Sequence, residues 1–385
     1  MKRLVALILA LILVAVAAGC GGAKSGGAGG SGSGTMKIGV IAPMTGDVKT
    51  FGDSTKNGAT LAWEQAGKKA GNINLELIVG DDRNDPTEGV NVANKFITQD
   101  GVKAIVGSVS SKVSIPISEV ANASKIVMIT GTSTNTKVTV DDKGNVKPYI
   151  FRACFIDPFQ GAVGAKFALN NLKVKSAAIL YDKGNDYTVG LSEEFKKNFE
   201  KGGGKVVAME TYGKDDTDFS AVLTKVAAAK PDFLYLPDYY NKVSLIAKQA
   251  KGKGLNVPMM GGDGWDSGDL DYATLDGQYF TNHYSEQDTR PEVKNFVEAY
   301  KKKYDVVPDA LAALAYDATT LLIEAIKKAD STDPAKIQKA MAGLKDVTTV
   351  SGKVSFDKNN NPVKSAAILK VKANKTYEFV TTVAP

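Results

Sequence analysis

The chain has 385 residues and a formal net charge of +6, from 48 Lys and Arg against 42 Asp and Glu. This length suits two lobes rather than one ordinary core, and the interspersed charges exclude a basic stripe for nucleic acid. With one histidine and two cysteines in the whole sequence, neither a zinc site nor a Cys/His nucleophile is expected, and no cofactor is predicted.

The first twenty residues predict export from the cytoplasm. A short basic start at 1–3 precedes an unbroken apolar run at 4–18, which is shorter than the roughly 20 residues of a spanning helix. We therefore interpret 1–19 as a signal peptide. The small residues before Cys20 resemble the lipobox of bacterial lipoproteins, which implies cleavage before Cys20 and acylation of its thiol. The alternative is plain secretion, with Cys20 incidental.

Glycine and serine dominate the stretch that follows, so 20–35 is predicted to be a lipidated cysteine followed by a flexible linker. A tether between an acylated residue and a folded body is typical of a protein held at a membrane surface. We therefore expect an extracytoplasmic protein, lipid-anchored to the cell membrane, whose folded part begins at Met36.

From Met36 onward, short β-rich apolar runs alternate with amphipathic helical stretches. Strands are predicted at 37–43, 75–82, 103–107 and 125–131. Helices are predicted over 53–68, from Pro86, and over 112–123. This series of strand, helix and strand predicts a parallel sheet with helices on both faces.

The same pattern then restarts, so 36–151 and 149–283 are interpreted as two copies of one doubly wound unit. The second set of strands is predicted at 176–182, 205–211, 232–238 and 257–263, with helices at 217–229 and 240–252. Three helices follow, at 291–304, 309–329 and 334–344, and are expected to complete the first lobe. The chain closes with strand-like segments at 350–357 and 365–372, and the last strands are expected to finish the second lobe.

Assigned by residue, lobe 1 is predicted to take 36–156 and 284–357, and lobe 2 to take 157–283 and 358–385. In doubly wound sheets, ligands bind beyond the carboxyl ends of the strands. With two such lobes facing each other, a ligand is expected in the cleft between them.

Two small hydroxyl-bearing loops follow neighbouring strands of the first unit. Ser108 to Ser111 lead into the helix at 112–123, and Gly131 to Thr134 follow the next strand. Hydroxyls and the free N–H groups of a helix start form an anion site, which suits a carboxylate. Either loop alone would be explained by helix capping and turns, but two together favour binding.

Polar and aromatic residues also follow the strands of the second unit. Asp263 could pair with an ammonium group, although a helix N-cap in a Gly-rich turn is an equal alternative. Tyr187, Tyr239 and Tyr240 could close a cleft, or could be ordinary core or surface aromatics. His283, at a predicted strand end, is interpreted as structural or exposed. A carboxylate site in one lobe and an ammonium partner in the other fit an α-amino acid bridging the cleft.

The order and spacing of several segments resemble the periplasmic binding proteins for leucine, isoleucine and valine, the type I solute-binding lipoproteins of ABC transporters. These segments are 38–53, 81–97, 107–134, 182–191, 260–267 and 311–318. The resemblance implies an α/β fold of the type I periplasmic binding protein class, with two doubly wound parallel-sheet lobes joined by a three-strand hinge. It also implies a monomeric, non-enzymatic protein that delivers an amino acid to ABC permease and ATPase subunits, anchored to the bilayer through Cys20.

The resemblance further implies roles for individual residues. Carboxylate binding falls on Ser111, Thr134 and the backbone of Thr132; ammonium binding on Asp263, where well-known members have Glu; and the remaining contacts on Phe51, Asp157, Tyr187, Tyr239 and Leu311. A disulfide of those members falls on Asn84 and Ser110 here, and is therefore lost.

The resemblance favours a branched-chain amino acid. The sequence itself leaves the ligand open among leucine, isoleucine, valine, alanine and an aromatic amino acid, because the pocket positions depart from the family pattern. Another small carboxylate, such as an aromatic acid or an amide, is an alternative ligand. A ligand-sensing receptor of the same fold is an alternative function. An extracytoplasmic hydrolase would need a nucleophile and a base that the sequence does not supply.

Overall fold

A computed structural model describes residues 34–385, so the predicted signal peptide, Cys20 and most of the linker lie outside the described residues. The first sheet has the strand order β2-β3-β1-β4-β5-β6. Its strands are β1 (Thr35–Ala42), β2 (Lys69–Ala70), β3 (Ile73–Asp81), β4 (Ala104–Gly107), β5 (Val127–Thr130) and β6 (Ile150–Arg152). All neighbours pair in parallel except the short β2, which runs antiparallel to β3.

The second sheet has the order β15-β14-β11-β10-β9-β7-β8. Its strands are β7 (Ser176–Asp182), β8 (Lys205–Tyr212), β9 (Leu234–Tyr235), β10 (Met259–Gly261), β11 (Tyr279–Asn282), β14 (Ala366–Lys372) and β15 (Thr376–Val383). The strands from β8 to β11 pair in parallel, and β14 and β15 add antiparallel. A separate hairpin joins β12 (Val347–Thr349) to β13 (Gly352–Val354).

Ten α-helices within residues 34–385 connect and cover these sheets. They are α1 (Lys49–Gln65), α2 (Pro86–Lys95), α3 (Ser111–Ala123), α4 (Asp157–Asn170), α5 (Asp186–Lys201), α6 (Ser220–Ala228), α7 (Tyr240–Gly252), α8 (Pro291–Tyr304), α9 (Ala310–Ala329) and α10 (Pro334–Ala342). In the part of the chain that the structure describes, none of the helices combines the length and apolar character needed to cross a bilayer.

The two sheets repeat one topology. The order β3-β1-β4-β5-β6 in the first sheet matches β8-β7-β9-β10-β11 in the second, each being the doubly wound order 2-1-3-4-5. The prediction of one unit used twice is therefore confirmed. The carboxyl ends of the parallel strands in each lobe lead into loops, and those loops carry the residues of the site described below.

The buried strands explain why the sequence is so continuously apolar. In β1, Ile38 and Val40 join the cluster beneath α9, whereas Ile41 joins the cluster beneath α2 and α3. In β4, Val106 and Ile105 divide between the same two clusters. Both faces of the sheet are thus covered by helices, which is the normal state of a parallel sheet.

Local capping fixes where two of the helices begin. Asp85 accepts hydrogen bonds from the N–H groups of Thr87 at 2.8 Å and Glu88 at 3.1 Å, with Pro86 in the first turn. Asp309 accepts from the N–H of Ala312 at 2.8 Å and starts α9. The helix predicted from Pro86 is confirmed.

The structure corrects the closing strands and some strand lengths. The segment predicted at 350–357 contributes β13 to the separate hairpin, and β15 was not predicted. The predicted strand at 232–238 shrinks to β9, although residues 236–238 remain buried beyond its end. Strand length follows from backbone pairing, which an apolar run alone does not specify.

Candidate functional site

A small cavity lies between the two lobes, where the loops after the parallel strands meet. It is lined by Phe51, Val109, Ser111, Thr132, Tyr187, Tyr239, Asp263, Gly264 and Leu311. The structure therefore brings together most of the predicted ligand residues. Thr134 and Asp157 are the two that do not line this cavity.

Aromatic rings form the apolar side of the cavity. Phe51, from α1, meets the ring of Tyr239 edge-on with centroids 5.6 Å apart. Tyr239 in turn stacks on Tyr187, with centroids 5.4 Å apart and the ring planes nearly parallel at 4°. Leu311 enters from the first turn of α9. This wall can contact an aliphatic or aromatic side chain, because aromatic faces offer large apolar area at fixed geometry.

The opposite, polar side is built at the start of α3. Ser111 begins that helix, and its hydroxyl oxygen accepts the N–H of Asn135 at 3.2 Å, which leaves its own O–H free to donate. Thr132 donates to the carbonyl of Val109 at 2.9 Å. A helix start with an adjacent hydroxyl donor favours an anionic group.

A hydrogen bond stands at the positions where the resemblance places a disulfide. Ser110 donates to the Asn84 side-chain oxygen at 2.7 Å, and both residues are buried. The loop before α3 is thus tied to the loop after β3 without a covalent link.

Thr134 and Asp157 lie beside each other outside this cavity. The Thr134 hydroxyl is buried without a hydrogen-bond partner, while its carbonyl accepts the N–H of Asp157 at 3.0 Å. Asp157 starts α4, and neither of its carboxyl oxygens makes a hydrogen bond. Burial raises the pKa of Asp157 to about 8, only partly offset by the nearby Thr134 hydroxyl, so the carboxyl is mainly protonated at neutral pH.

Asp157 instead lines a second and wider cavity of about 970 Å³ between the same lobes. Asn135, Lys137, Lys183 and Glu193 border it as well. Side chains of both charges line this cavity, unlike the small aromatic cavity beside it.

The carboxylate of Asp263 is the most heavily bonded group of the aromatic cavity. Its Oδ1 accepts from Gln160 Nε2 at 2.9 Å and from the Tyr187 hydroxyl at 3.0 Å. Its Oδ2 lies 2.9 Å from His283 Nε2. The Tyr187 hydroxyl also accepts the N–H of Gly264 at 3.3 Å, which fixes the orientation of the hydroxyl. The alternative that Asp263 is simply a helix cap is wrong, because its side chain caps no helix.

Sequence reasoning missed two members of this group. Gln160 comes from the first turn of α4, and His283 follows β11 directly. The sequence left His283 as either a structural or an exposed residue. The structure shows that it is buried. The sequence signal that could have found His283 was its position just after a strand. β10 and β11 are parallel neighbours, so residues just beyond their carboxyl ends meet at one edge of the sheet.

The remaining reactive groups do not suggest chemistry. Burial raises the pKa of the Cys154 thiol to about 12, which leaves little thiolate for nucleophilic attack. Within residues 34–385, no group of three or more His, Cys, Asp or Glu side chains is placed to hold a metal ion.

Direct contacts join the lobes on both sides of the aromatic cavity. Thr50 lies 3.0 Å from Ser267 through their hydroxyls, and Tyr240 donates to the Asp47 carbonyl at 3.2 Å. On the other side, Asn135 Nδ2 donates to the carbonyl of Asp186 at 2.8 Å. The cleft is thus closed around the cavity.

The family described as "Periplasmic binding protein" matches residues 35–376 of this chain. The chain belongs to the periplasmic binding protein family.

Three relatives show what this periplasmic binding protein is similar to. The leucine-, isoleucine-, valine-, threonine-, and alanine-binding protein of Pseudomonas aeruginosa is 34% identical, over 85% of this chain and 87% of the relative. The crystal structure of a leucine-binding protein from Thermotoga maritima has a TM-score of 0.86 at 37% identity, covering 91% and 99% of the two chains. A branched-chain amino acid transporter substrate-binding protein from Streptococcus pneumoniae, in complex with isoleucine, has a TM-score of 0.84 at 30% identity, covering 91% and 100%.

These comparisons confirm the family resemblance and the two-lobed α/β fold. They also confirm that the protein is not an enzyme, since the periplasmic binding proteins it matches are solute-binding proteins of transporters. An extracytoplasmic location agrees with the same family membership.

Proposed function

We propose that this protein captures an amino acid in the aromatic cavity and delivers it to an ABC importer, with a branched-chain side chain as the best fit. The observation that carries the proposal is Asp263, a buried carboxylate facing the cavity across from the start of α3. An α-amino acid carries a carboxylate and an ammonium on one carbon. Its carboxylate would then meet the partly positive start of α3, and its ammonium would meet the carboxylate of Asp263.

The lining of the cavity supports a small apolar side chain. Phe51, Tyr239 and Leu311 offer it an apolar wall. Relatives named for binding leucine, isoleucine and valine also support an amino acid with an apolar side chain.

Calorimetric titration against the standard amino acids is the direct test. We expect one or more branched-chain amino acids to bind with a dissociation constant below roughly 100 μM. If no amino acid binds at that level, the proposed ligand class is wrong. A sensory role would instead show as ligand-dependent binding to a signalling partner and not to a permease.

A small carboxylate without an amino group is the second candidate ligand. Such an acid would offer Asp263 no cation, and the buried carboxylate would face it at an electrostatic cost. Titration with leucine and with 4-methylpentanoate, which lacks only the amino group, separates the two classes. Tighter binding of 4-methylpentanoate would favour the acid.

We further propose that acylated Cys20 anchors the protein outside the cytoplasm and that 21–35 tethers the folded part. The support is the sequence pattern before and after Cys20. We expect mass spectrometry of the membrane fraction to find a lipid on Cys20, and Cys20→Ala to release the protein. Delivery would show as ligand-dependent stimulation of the importer's ATPase in proteoliposomes.

The lobes are proposed to comprise 36–156 with 284–357 and 157–283 with 358–385. Support comes from the strands, because those of the first sheet fall almost entirely in the first set and those of the second sheet in the second set. The protein is proposed to work as a monomer, which sedimentation analysis would test.

A further inference from the structure

His283 holds a defined place beside Asp263. The pairing of Gly261 with Phe280 sets β10 and β11 side by side, so Asp263 and His283 leave the same edge of the sheet. The imidazole is buried, with 1% of its side chain exposed, and stacks on Phe155 with centroids 3.7 Å apart. The backbone N–H of His283 donates to the Asn282 side chain at 2.9 Å. Ring plane and backbone are therefore both fixed.

The contact between His283 and Asp263 determines the tautomer. An ionised carboxylate only accepts hydrogen bonds, so the 2.9 Å contact to Asp263 Oδ2 requires the proton on Nε2. Nδ1 is buried without a partner, which fits a bare nitrogen better than an N–H. Burial lowers the pKa of His283, while Asp263 and Asp317 raise it and Lys364 lowers it further. The ring is thus neutral near pH 7.

Counting acceptor positions shows what a ligand can reach. The two oxygens of a carboxylate offer about four lone-pair positions. Gln160 and Tyr187 occupy Oδ1, and His283 occupies one position on Oδ2. The position that remains is on Oδ2, beside the imidazole. A neutral ring leaves the pair with a charge of about −1, whereas a protonated ring would cancel it.

We propose that His283 is a positioning residue of the ligand site, which holds the Asp263 carboxylate in place as a neutral Nε2–H donor and so makes the site select ligands that carry an ammonium group. This inference rests on the proposed function for its ligand. It adds to that function the neutral imidazole of His283, which makes Asp263 recognise the ammonium end of the ligand. Protonation of His283 removes the selection, because the neutralised pair no longer favours a cation.

The only histidine in the sequence allows a direct test without ligand. In protein labelled with ¹⁵N-histidine, the imidazole signals in the NMR spectrum come from this one ring. We expect the Nε2–H tautomer and a titration midpoint below the ordinary value of 6.5. Asp263→Asn is expected to lower the midpoint further, because it removes a negative charge that favours the protonated ring. The inference would be overturned by an Nδ1–H tautomer, or by a titration midpoint that Asp263→Asn leaves unchanged.

Binding measurements test the selection itself. We expect His283→Leu to lose about tenfold or more in affinity for leucine relative to 4-methylpentanoate, and His283→Gln, which keeps an N–H donor, to recover most of that loss. From about pH 7.5 to about half a pH unit below the His283 midpoint measured by NMR, the affinity of the wild type for leucine should fall about threefold more than that of His283→Gln. An unchanged leucine preference in a folded His283→Leu protein contradicts the inference. If the wild type binds no amino acid, the proposed function fails, and the NMR result still decides whether His283 holds Asp263.

Discussion

A buried carboxylate attracts a cation only when its other hydrogen bonds leave it both ionised and oriented. Asp263 is oriented by donors from three separate parts of the chain, namely Gln160, Tyr187 and His283. The sequence could indicate Asp263 and Tyr187, because each follows a predicted strand. It could not indicate Gln160, whose side chain reaches the site only through the packing of α4 against β11.

Replacing Asp263 tests the proposed ammonium site. We expect Asp263→Asn to lose about tenfold or more in amino-acid affinity, because the amide keeps the shape but removes the charge. Titration calorimetry measures the loss. Asp269→Asn is the matched control, since Asp269 is exposed in the same loop and does not line the cavity. Equal affinity in the two variants would count against an ammonium at Asp263.

The carboxyl of Asp157 gives the protein a pH-dependent stability. Its pKa of about 8 exceeds its ordinary value of 3.8, so the folded state keeps a proton that the unfolded chain releases. Stability should therefore fall as pH rises between those values. We expect the drop in melting temperature from about pH 5 to about pH 8.5 to be at least about 2 °C smaller in Asp157→Asn.

The control for this experiment is Asp186→Asn, because Asp186 is the exposed first residue of α5 as Asp157 is the buried first residue of α4. Its melting curve should follow that of the wild type at every pH. Parallel pH profiles for wild type and Asp157→Asn would show that Asp157 is not protonated in the folded state.

At the scale of elements, α1 and α9 pack closely and fix each other's position. A Cβ on Gly58 would lie 2.1 Å from the Ala312 carbonyl oxygen, so the two helices touch through their backbones at that point. Both helices line the aromatic cavity, α1 through Phe51 and α9 through Leu311. The spacing of these helices therefore sets the width of the apolar wall.

Adding one methyl group to α1 tests this packing. We expect Gly58→Ala to destabilise the fold by about 1–3 kcal/mol, because the helices must separate, and to weaken ligand binding as well. Gly252→Ala is the matched control at a helical glycine with open space around it, and should stay within about 0.5 kcal/mol of the wild type. Chemical denaturation gives both values. Similar losses in the two variants would contradict close contact at Gly58.

The elements themselves could largely be predicted from the sequence. Periodic segments with a clear start, such as α2 after Asp85 or α8 at Pro291, have the predicted beginnings because capping and proline act locally. The fold also followed from repeated strand and helix patterns. The hairpin of β12 and β13 and the addition of β15 could not be predicted, because strand partners depend on distant segments.

At the scale of the whole molecule, the closed cleft depends on close approach at positions away from the ligand cavity. Gly190, on α5, would place a Cβ 2.8 Å from both Asn135 Nδ2 and Asp157 Oδ2. Asn135 also donates across the cleft to Asp186. A side chain at position 190 would therefore oppose closure without entering the aromatic cavity.

Closure can be weakened at this position and measured. We expect ligand to decrease the radius of gyration of the wild type in X-ray scattering. Gly190→Val should remove that decrease and reduce amino-acid affinity several-fold, because the closed state costs more. Gly213→Val is the matched control, since a Cβ there meets nothing closer than the Asp216 carboxylate at 3.7 Å. Full compaction of Gly190→Val with ligand would show that closure tolerates the added side chain.

The buried thiol of Cys154 has a practical consequence for measurement. A chain that starts at Gly34 keeps Cys154 as its one cysteine, and a thiol with a pKa of about 12 in the core does not react with maleimide dyes. Thr136 is exposed at the rim of the wider cavity, so Thr136→Cys creates a single reactive handle where the lobes meet. A fluorophore attached there turns the protein into an optical sensor for its own ligand.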